Sequence, residues 1–407
     1  MNFKLLVIIL VVVECLYRIV LNRVTYRSAN NPTPDNLADV YDNNAYSKWK
    51  KYSAENCKLD LFSTLASFAV SLILLCANVH SAFASLFPAG QFAQLSSIIL
   101  LETAVSTVIG IPVKYIRTMK IEEKYGFNRS SMKTFVSDCI KSMLLDFMLG
   151  LLIVEVLALL HTYMGDWIIL LFAIAIFLFT LLISFLYPVL SKIGNKFTPL
   201  EDGELKDKLM ELLTKHGYRV KSIDVMDASR RTSKLNAYFT GFGKLKKIVL
   251  YDNLVNAMTP DEICAVFSHE LGHGLNKDVL KGQIANFLNM FVMSVAVWLA
   301  VKDALVYTQF GFEGVHYGFA YILLAALLGV VQPFTSLVMN YRSRKAEYRA
   351  DKQAVDEGYG EALISALKKL AKENFAHLSP SKINVVLQYS HPPLCERISA
   401  IEKNLNK

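Results

Sequence analysis

His269-Glu270-Leu271-Gly272-His273 is the part of this chain whose residue types and spacing most plainly do chemistry. Two histidines four apart project from one face of a helix and can reach a single metal ion. Glu270, beside the first of them, can take a proton from water at that metal. On composition alone roughly 0.007 matches to this pattern arise by chance. Two ordinary surface histidines are therefore the weaker reading. The local signals place the motif on a helix. Thr259 suits the N-cap, Pro260 the first helical position, and Glu262 completes a capping box with Thr259. Zinc needs a third protein ligand and an open position. Glu347, in Glu347-Tyr348-Arg349-Ala350-Asp351, is the best candidate. Asp351 lies one turn on and could fix the tautomer of a ligand histidine. A solvated charged helix is the competing reading of this stretch.

The elements that must position these residues are unusual for a water-soluble enzyme. Of 407 residues, 53% are hydrophobic and only 19% charged, with a mean hydropathy of +0.34. A soluble domain carries about 25% charged residues. Six scattered cysteines (Cys15, Cys57, Cys76, Cys139, Cys264, Cys395) form no C-x-x-C pair, so neither a disulfide framework nor a thiolate zinc site is expected. A transmembrane helix needs about 20 mostly apolar residues. Seven segments qualify: Phe3–Leu21, Leu61–Phe83, Phe92–Val113, Met143–His161, Trp167–Leu190, Gln283–Val301 and Tyr317–Met339. Pro88 and Gly90 mark the turn between the second and third, and Pro333 is expected to kink the seventh.

Lys and Arg crowd alternate loops. They are dense between spans one and two, three and four, and five and six, and again after span seven. The other loops hold almost none. The positive-inside rule then puts the N-terminus in the lumen, and both the 191–281 loop and the tail in the cytosol. The net charge of +8 is read as this orientation signal, and no nucleic-acid partner is expected. The sequon Asn128-Arg129-Ser130 would face the cytosol and stay unmodified. His80, His161 and His316 fall on the opposite side from the motif. Glu14, Glu102, Asp146 and Glu155 lie within spans, where each should face a partner or a water-filled interior. Glu14 can pair with Arg18 on its own helix. In the 191–281 region, Glu201–His216 reads as an amphipathic helix. Arg219–Met226, Leu235–Phe242 and Lys247–Tyr251 read as strands, with a turn at Gly241, Gly243 and Lys244.

The combination resembles the integral-membrane zinc proteases that process CAAX proteins. Seven spans, H-E-L-G-H between the fifth and sixth, and E-Y-R-A-D after the seventh carry the likeness. So do Ile121–Asn128 (I-E-E-K-Y-G-F-N), Asn236-Ala237-Tyr238-Phe239, Ser390-His391-Pro392-Pro393 and Glu396-Arg397-Ile398. The resemblance implies a mainly α, polytopic membrane protein whose seven helices enclose a chamber, capped by a cytosolic gluzincin-type α+β zinc protease domain. The expected parts are residues 1–190 (spans one to five), 191–281 (the protease loop domain), 282–340 (spans six and seven) and 341–407 (a helical tail with the third ligand). It implies one Zn2+ per chain on His269, His273 and Glu347, with Glu270 as general base and Asp351 behind a ligand histidine. Asn236 and Ala237 would bind substrate backbone, His391 would stabilise the oxyanion, and Arg397 would sit near the glutamate ligand. The implied activity is removal of the last three residues of isoprenylated CAAX proteins, farnesylated or geranylgeranylated, with a second upstream cut in selected substrates. A membrane quality-control protease is the alternative. The implied setting is the endoplasmic-reticulum membrane, with the inner nuclear membrane as a second location and membrane lipid as a partner. The tail Lys403–Lys407 holds no dilysine retrieval signal, so residence rests on the resemblance.

Overall fold

The computed structural model describes residues 2–87, 91–190, 195–240 and 245–407. Apolar runs of span length, free of charge, become long helices because every backbone polar group must be satisfied within the segment in lipid. These are α1 (Phe3–Ser28), α2 (Asn43–Cys76), the short α3 (Val79–Ala84), α4 (Gln91–Tyr115), α5 (Met132–Met164) and α6 (Ile168–Leu190). A π-helical turn over Ile116–Glu122 continues α4. The polar region then folds as β1 (Phe197–Pro199), α7 (Glu204–Lys215), β2 (Arg219–Met226), β3 (Ala237–Thr240), β4 (Leu245–Tyr251), α8 (Asp252–Ala257) and α9 (Pro260–Leu275). The chain returns through α10 (Asp278–Lys302), α11 (Ala304–Thr308) and α12 (Tyr317–Asp356). It ends in α13 (Gly360–Glu373), α14 (Lys382–Gln388) and α15 (Leu394–Leu405).

The seven expected spans correspond to α1, α2 with α3, α4, α5, α6, α10 and α12. Six of these helices are long and apolar enough to cross a membrane among the described residues, and α6 adds an apolar stretch at Ala173–Ile183. The second span differs from the expectation of one helix to Phe83. Asn78 takes a left-handed conformation (φ 52°) that breaks the helix after Cys76. Asn tolerates this region because its short polar side chain bonds locally, and here it accepts from Lys4 Nζ at 2.8 Å. α12 runs through Pro333 as a single assigned helix, so one element carries both membrane-spanning and site residues. The expected turns at Pro88–Gly90 and Gly241–Lys244 lie outside the described residues.

The sheet order is β1-β2-β4-β3, with β2 and β4 parallel and the outer pairs antiparallel, so β3 is an edge. A core of Leu209, Leu213, Ile223, Ile248, Leu254 and Ile263 fills the space between this sheet and its helices, and Ala366 of the tail closes it. The basic loops meet on this side. Phe375 stacks edge-on against Tyr41, Tyr52, Tyr125 and Phe127, while Trp49 Nε1 donates to its carbonyl at 3.1 Å. Buried Tyr307, Phe310 and Phe319 close the opposite end.

The helices enclose the expected chamber. A cavity of ≈ 640 Å³ opens between α1, α2 and α12, with Leu387 and Gln388 of α14 in its wall. Adjoining cavities of ≈ 300 and ≈ 460 Å³ share Glu14 and Arg18 with it. The intramembrane carboxylates follow two of the expected patterns. Glu14 pairs with Arg18 at 2.8 Å on the chamber wall, and Glu102 meets His80 at 2.7 Å.

Candidate active site

The capping box forms as the residue types require. Thr259 N donates to Glu262 Oε2 at 2.8 Å, and Glu262 N donates to Thr259 Oγ1 at 3.3 Å. Glu262 also accepts from Ser365 Oγ at 2.6 Å and Lys369 Nζ at 2.7 Å, which locks the start of α9 to α13. α9 then lies against α12 with no room between them. A Cβ on Gly272 would come within 2.8 Å of Ala350 Cα. The glycine inside the motif thus lets the histidine-bearing helix approach the helix that carries Glu347.

The structure brings three donor groups together. His269 Nε2 lies 3.4 Å from Glu347 Oε2, and His273 Nε2 lies 3.3 Å from Glu347 Oε1. Ligand atoms of His269, His273 and Glu347 all fall within 4.8 Å of one another. Bonds of 2.0–2.1 Å to a tetrahedral zinc give ligand–ligand edges of about 3.3 Å, so these separations fit that ion. A second observation agrees. Glu347 Oε2 is buried and has no hydrogen-bond partner among the described residues, although buried acceptors are normally satisfied.

The far nitrogens of both histidines are held by carboxylates. His269 Nδ1 lies 2.8 Å from Asp351 Oδ1, and His273 Nδ1 lies 3.1 Å from Asp278 Oδ2. This leaves each Nε2 facing the glutamate, the arrangement that orients imidazoles at metals. Arg397 donates twice to Asp351, through Nε at 2.9 Å and Nη2 at 2.6 Å. Its Nη1 lies farther, 3.6 Å, from Glu347 Oε2. Arg397 therefore acts first on Asp351. Burial pushes the His273 imidazole down, but its hydrogen bonds to the Glu347 and Asp278 carboxylates prevail and hold it up at about 9. Protons and metal compete for the same nitrogens, so acid weakens metal binding here.

Glu270 shares a small apolar pocket with Ala237 of β3, together with Ile248, Leu250 and Val266. The general-base candidate and the edge strand thus border one space. Asn236 is exposed, and its Oδ1 accepts from Ala237 N at 2.9 Å. His391 stands at the rim with Nε2 3.4 Å from Glu347 Oε1, its side chain 62% exposed, and Ser390 Oγ lies 2.9 Å from its Nδ1. Asn340 and Arg344 tie α14 to α12, through Leu387 O at 3.0 Å and Tyr389 O at 2.7 Å. The chamber wall at Gln388 is thereby three residues along the chain from His391.

Sequence reasoning missed three residues that matter. Asp278 sits five positions after His273, past a left-handed Lys277 (φ 53°) that no helical periodicity spans. Gly272 was legible only as the small member of the motif. Asn374 carried no motif signal.

Comparison with known proteins places this geometry. Residues 22–192 match the family model for the CAAX prenyl protease N-terminal region with five membrane helices, and residues 199–405 match that of peptidase family M48. The "CAAX prenyl protease 1" of Saccharomyces cerevisiae is 30% identical, over 93% of this chain and 91% of its own length. The human "CAAX prenyl protease 1 homolog" is 27% identical over 93% and 90%. The crystal structure of S. mikatae Ste24p superposes with a TM-score of 0.90 at 27% identity, covering 98% of this chain and 99% of that one. With three donor groups that could hold a metal and both halves of the chain matched, this protein belongs to the zinc-dependent metalloprotease family M48, in the form that carries the CAAX prenyl protease N-terminal membrane region.

Proposed function

We propose that the chain is a zinc endopeptidase that removes the C-terminal three residues of farnesylated or geranylgeranylated CAAX proteins, with a second upstream cut in selected substrates. The observation that carries this reading is the His269–His273–Glu347 cluster, with Glu270 bordering one pocket with Ala237 of β3 and α12 running from Glu347 back to the chamber wall at Asn340. His269, His273 and Glu347 would hold the zinc, which when bound would supply Lewis acidity toward a carbonyl and make water more acidic. Glu270 takes the proton from the attacking water and returns it to the leaving amine. His391 donates a hydrogen bond to the carbonyl oxygen as negative charge grows there. Asn236 and Ala237 hold the substrate backbone in extended form along β3. Asp351 and Asp278 keep the ligand imidazoles in place, and Arg397 holds Asp351.

Leu75, Ile322 and Leu328 give the ≈ 460 Å³ part of the chamber an apolar surface that suits an isoprenoid chain, beside the polar Glu14, Arg18, His80 and Glu102. Asn22, Asn340 and Gln388 line the ≈ 640 Å³ part next to α14 and suit a hydrated peptide. Prenylated tails are made in the cytosol, which matches the orientation given by the basic loops. The endoplasmic-reticulum membrane is the proposed setting, with the inner nuclear membrane as a second location and lipid around the spans.

The deciding experiment supplies a farnesylated CAAX peptide to the outside of sealed microsomes and to the purified protein. Turnover in both is expected. Glu270→Gln should keep its zinc and lose about 10²–10⁴-fold in rate. Equal turnover by that variant would remove the mechanism, and turnover only after detergent would reverse the orientation. The polar chamber wall also favours a second reading, quality-control proteolysis of unfolded membrane proteins. Cleavage of those without cleavage of the prenylated peptide would select it.

A further inference from the structure

Asn374 follows α13 and faces the segment that leads into β3. Its side chain meets one residue twice. Leu235 N donates to Oδ1 at 2.9 Å, and Nδ2 donates to the Leu235 carbonyl at 3.1 Å. A neighbouring antiparallel strand makes the same two-point contact. In an extended chain the N–H and C=O of one residue face the same way, and successive residues alternate. The Asn236 carbonyl accepts from Tyr251 N of β4 at 3.2 Å, so Asn236 faces into the sheet. Leu235 and Ala237 therefore face outward, and Asn374 already occupies the outward groups of Leu235. The next outward groups are those of Ala237, whose N–H donates to Asn236 Oδ1 at 2.9 Å.

The segment is pinned from other directions as well. Ser233 N donates to Phe127 O at 3.2 Å, and Lys234 Nζ donates to Glu122 Oε1 at 3.1 Å. Asn253 Nδ2 reaches the carbonyls of Thr232 at 3.2 Å and Lys234 at 2.8 Å. Leu235 cannot swing away from Asn374 without breaking these contacts.

We infer that Asn374 is a positioning residue that plugs the β3 edge at Leu235 and so sets the register in which an extended substrate docks. This rests on the reading that substrate pairs with β3. Backbone pairing alone does not distinguish registers; one face of a strand repeats every two residues. A peptide slipped two residues toward Leu235 would need the N–H and carbonyl that Asn374 holds. The slipped peptide would present a different bond to the metal. An enzyme that cuts one fixed bond near a C-terminus needs such a stop.

The test uses the purified full-length protein and a farnesylated CAAX peptide, with products identified by mass spectrometry. Asn374→Ala and the milder Asn374→Ser should yield a second product, cut two residues away, at about a tenth or more of the main one. KM should rise several-fold while kcat changes less than about threefold. Ala237→Pro removes an outward N–H, a change that edge strands tolerate, and should lower turnover about tenfold or more with zinc retained. A single wild-type cut with unchanged KM in both Asn374 variants overturns the inference, and loss in Ala237→Pro then still supports edge-strand docking. Full turnover by Ala237→Pro removes the docking reading itself. Loss of zinc in both Asn374 variants assigns the residue a structural role and also overturns the inference.

Discussion

Asp351 stands between His269, a proposed metal ligand, and a buried cation, and its two oxygens serve both. One meets His269 Nδ1 and Arg397 Nη2, and the other meets Arg397 Nε. Asp351 is 1% exposed and Arg397 9%. Burial disfavours such charges unless they are paired, so the two are kept by each other. Asp351→Asn retains the shape but weakens the hold on His269, and zinc affinity should fall about 10–100-fold in a competitive chelator titration. Asp351→Ala also strands Arg397 and should cost about 3–5 kcal/mol, read as a lowered thermal midpoint. Unaltered zinc affinity in both variants would show that His269 needs no such partner. At this scale His269, Glu270 and His273 were legible because one helical turn joins them. Asp351 was legible as a candidate through its spacing from Glu347. Asp278 was not, because its approach to His273 depends on a chain reversal.

At the level of elements, the decisive contact is α9 against α12. Gly272 makes it possible, with the site that a Cβ would occupy only 2.8 Å from Ala350 Cα and 3.0 Å from Gln353 Cβ. Gly272→Ala gains about 1 kcal/mol of helix propensity. It also forces two backbones apart, and overpacking of this kind costs about 1–3 kcal/mol. The expected outcome is a lower thermal midpoint together with reduced zinc content, since the ligands sit on opposite sides of that contact. A variant that binds zinc as the parent does would mean the helices re-pack without moving Glu347. The capped start of α9 and the strand Arg219–Met226 could be read directly, because capping and alternation are local. The break at Asn78 could not, since the stretch from Leu61 to Phe87 is free of formal charge and holds neither Gly nor Pro to signal a turn.

Across the whole molecule, three basic segments and the tail converge on the protease side, and His377 lies at their junction. Its ring meets Trp49 edge-on and Ser28 Oγ at 2.8 Å from Nε2, while Ser379 N donates to Nδ1 at 3.3 Å. Nδ1 is thus an acceptor, and protonation there would set two donors against each other. Burial pushes the imidazole down to about 4, whereas the unfolded chain titrates at about 6.5. Between those values the unfolded state binds more protons, so stability is present above the window and is lost as pH falls through it. His377→Gln should remove part of that dependence. Its loss of stability from pH 7 to 4.5 should be smaller than the parent's by on the order of 1–2 kcal/mol, allowing for partial exposure. Identical acid profiles in denaturant unfolding would discount the junction as a titrating point.

Composition and local pattern alone determined that the chain spans a membrane with long helices, where its basic loops fall, and that one capped helix carries two histidines spaced to reach one metal. These properties follow from the free energy of single segments in water or lipid, so they can be read segment by segment. Only the tertiary structure decided that Glu347 closes the triad. It also decided that Asp278 backs the second histidine, that Glu14 and Arg18 stand in the wall shared by the chamber's parts, and that Asn374 meets both backbone groups of Leu235. Each of these joins side chains whose meeting is set by the packing of several elements at once. That packing depends on the summed fit of the helices and the sheet, and no single stretch of sequence contains it.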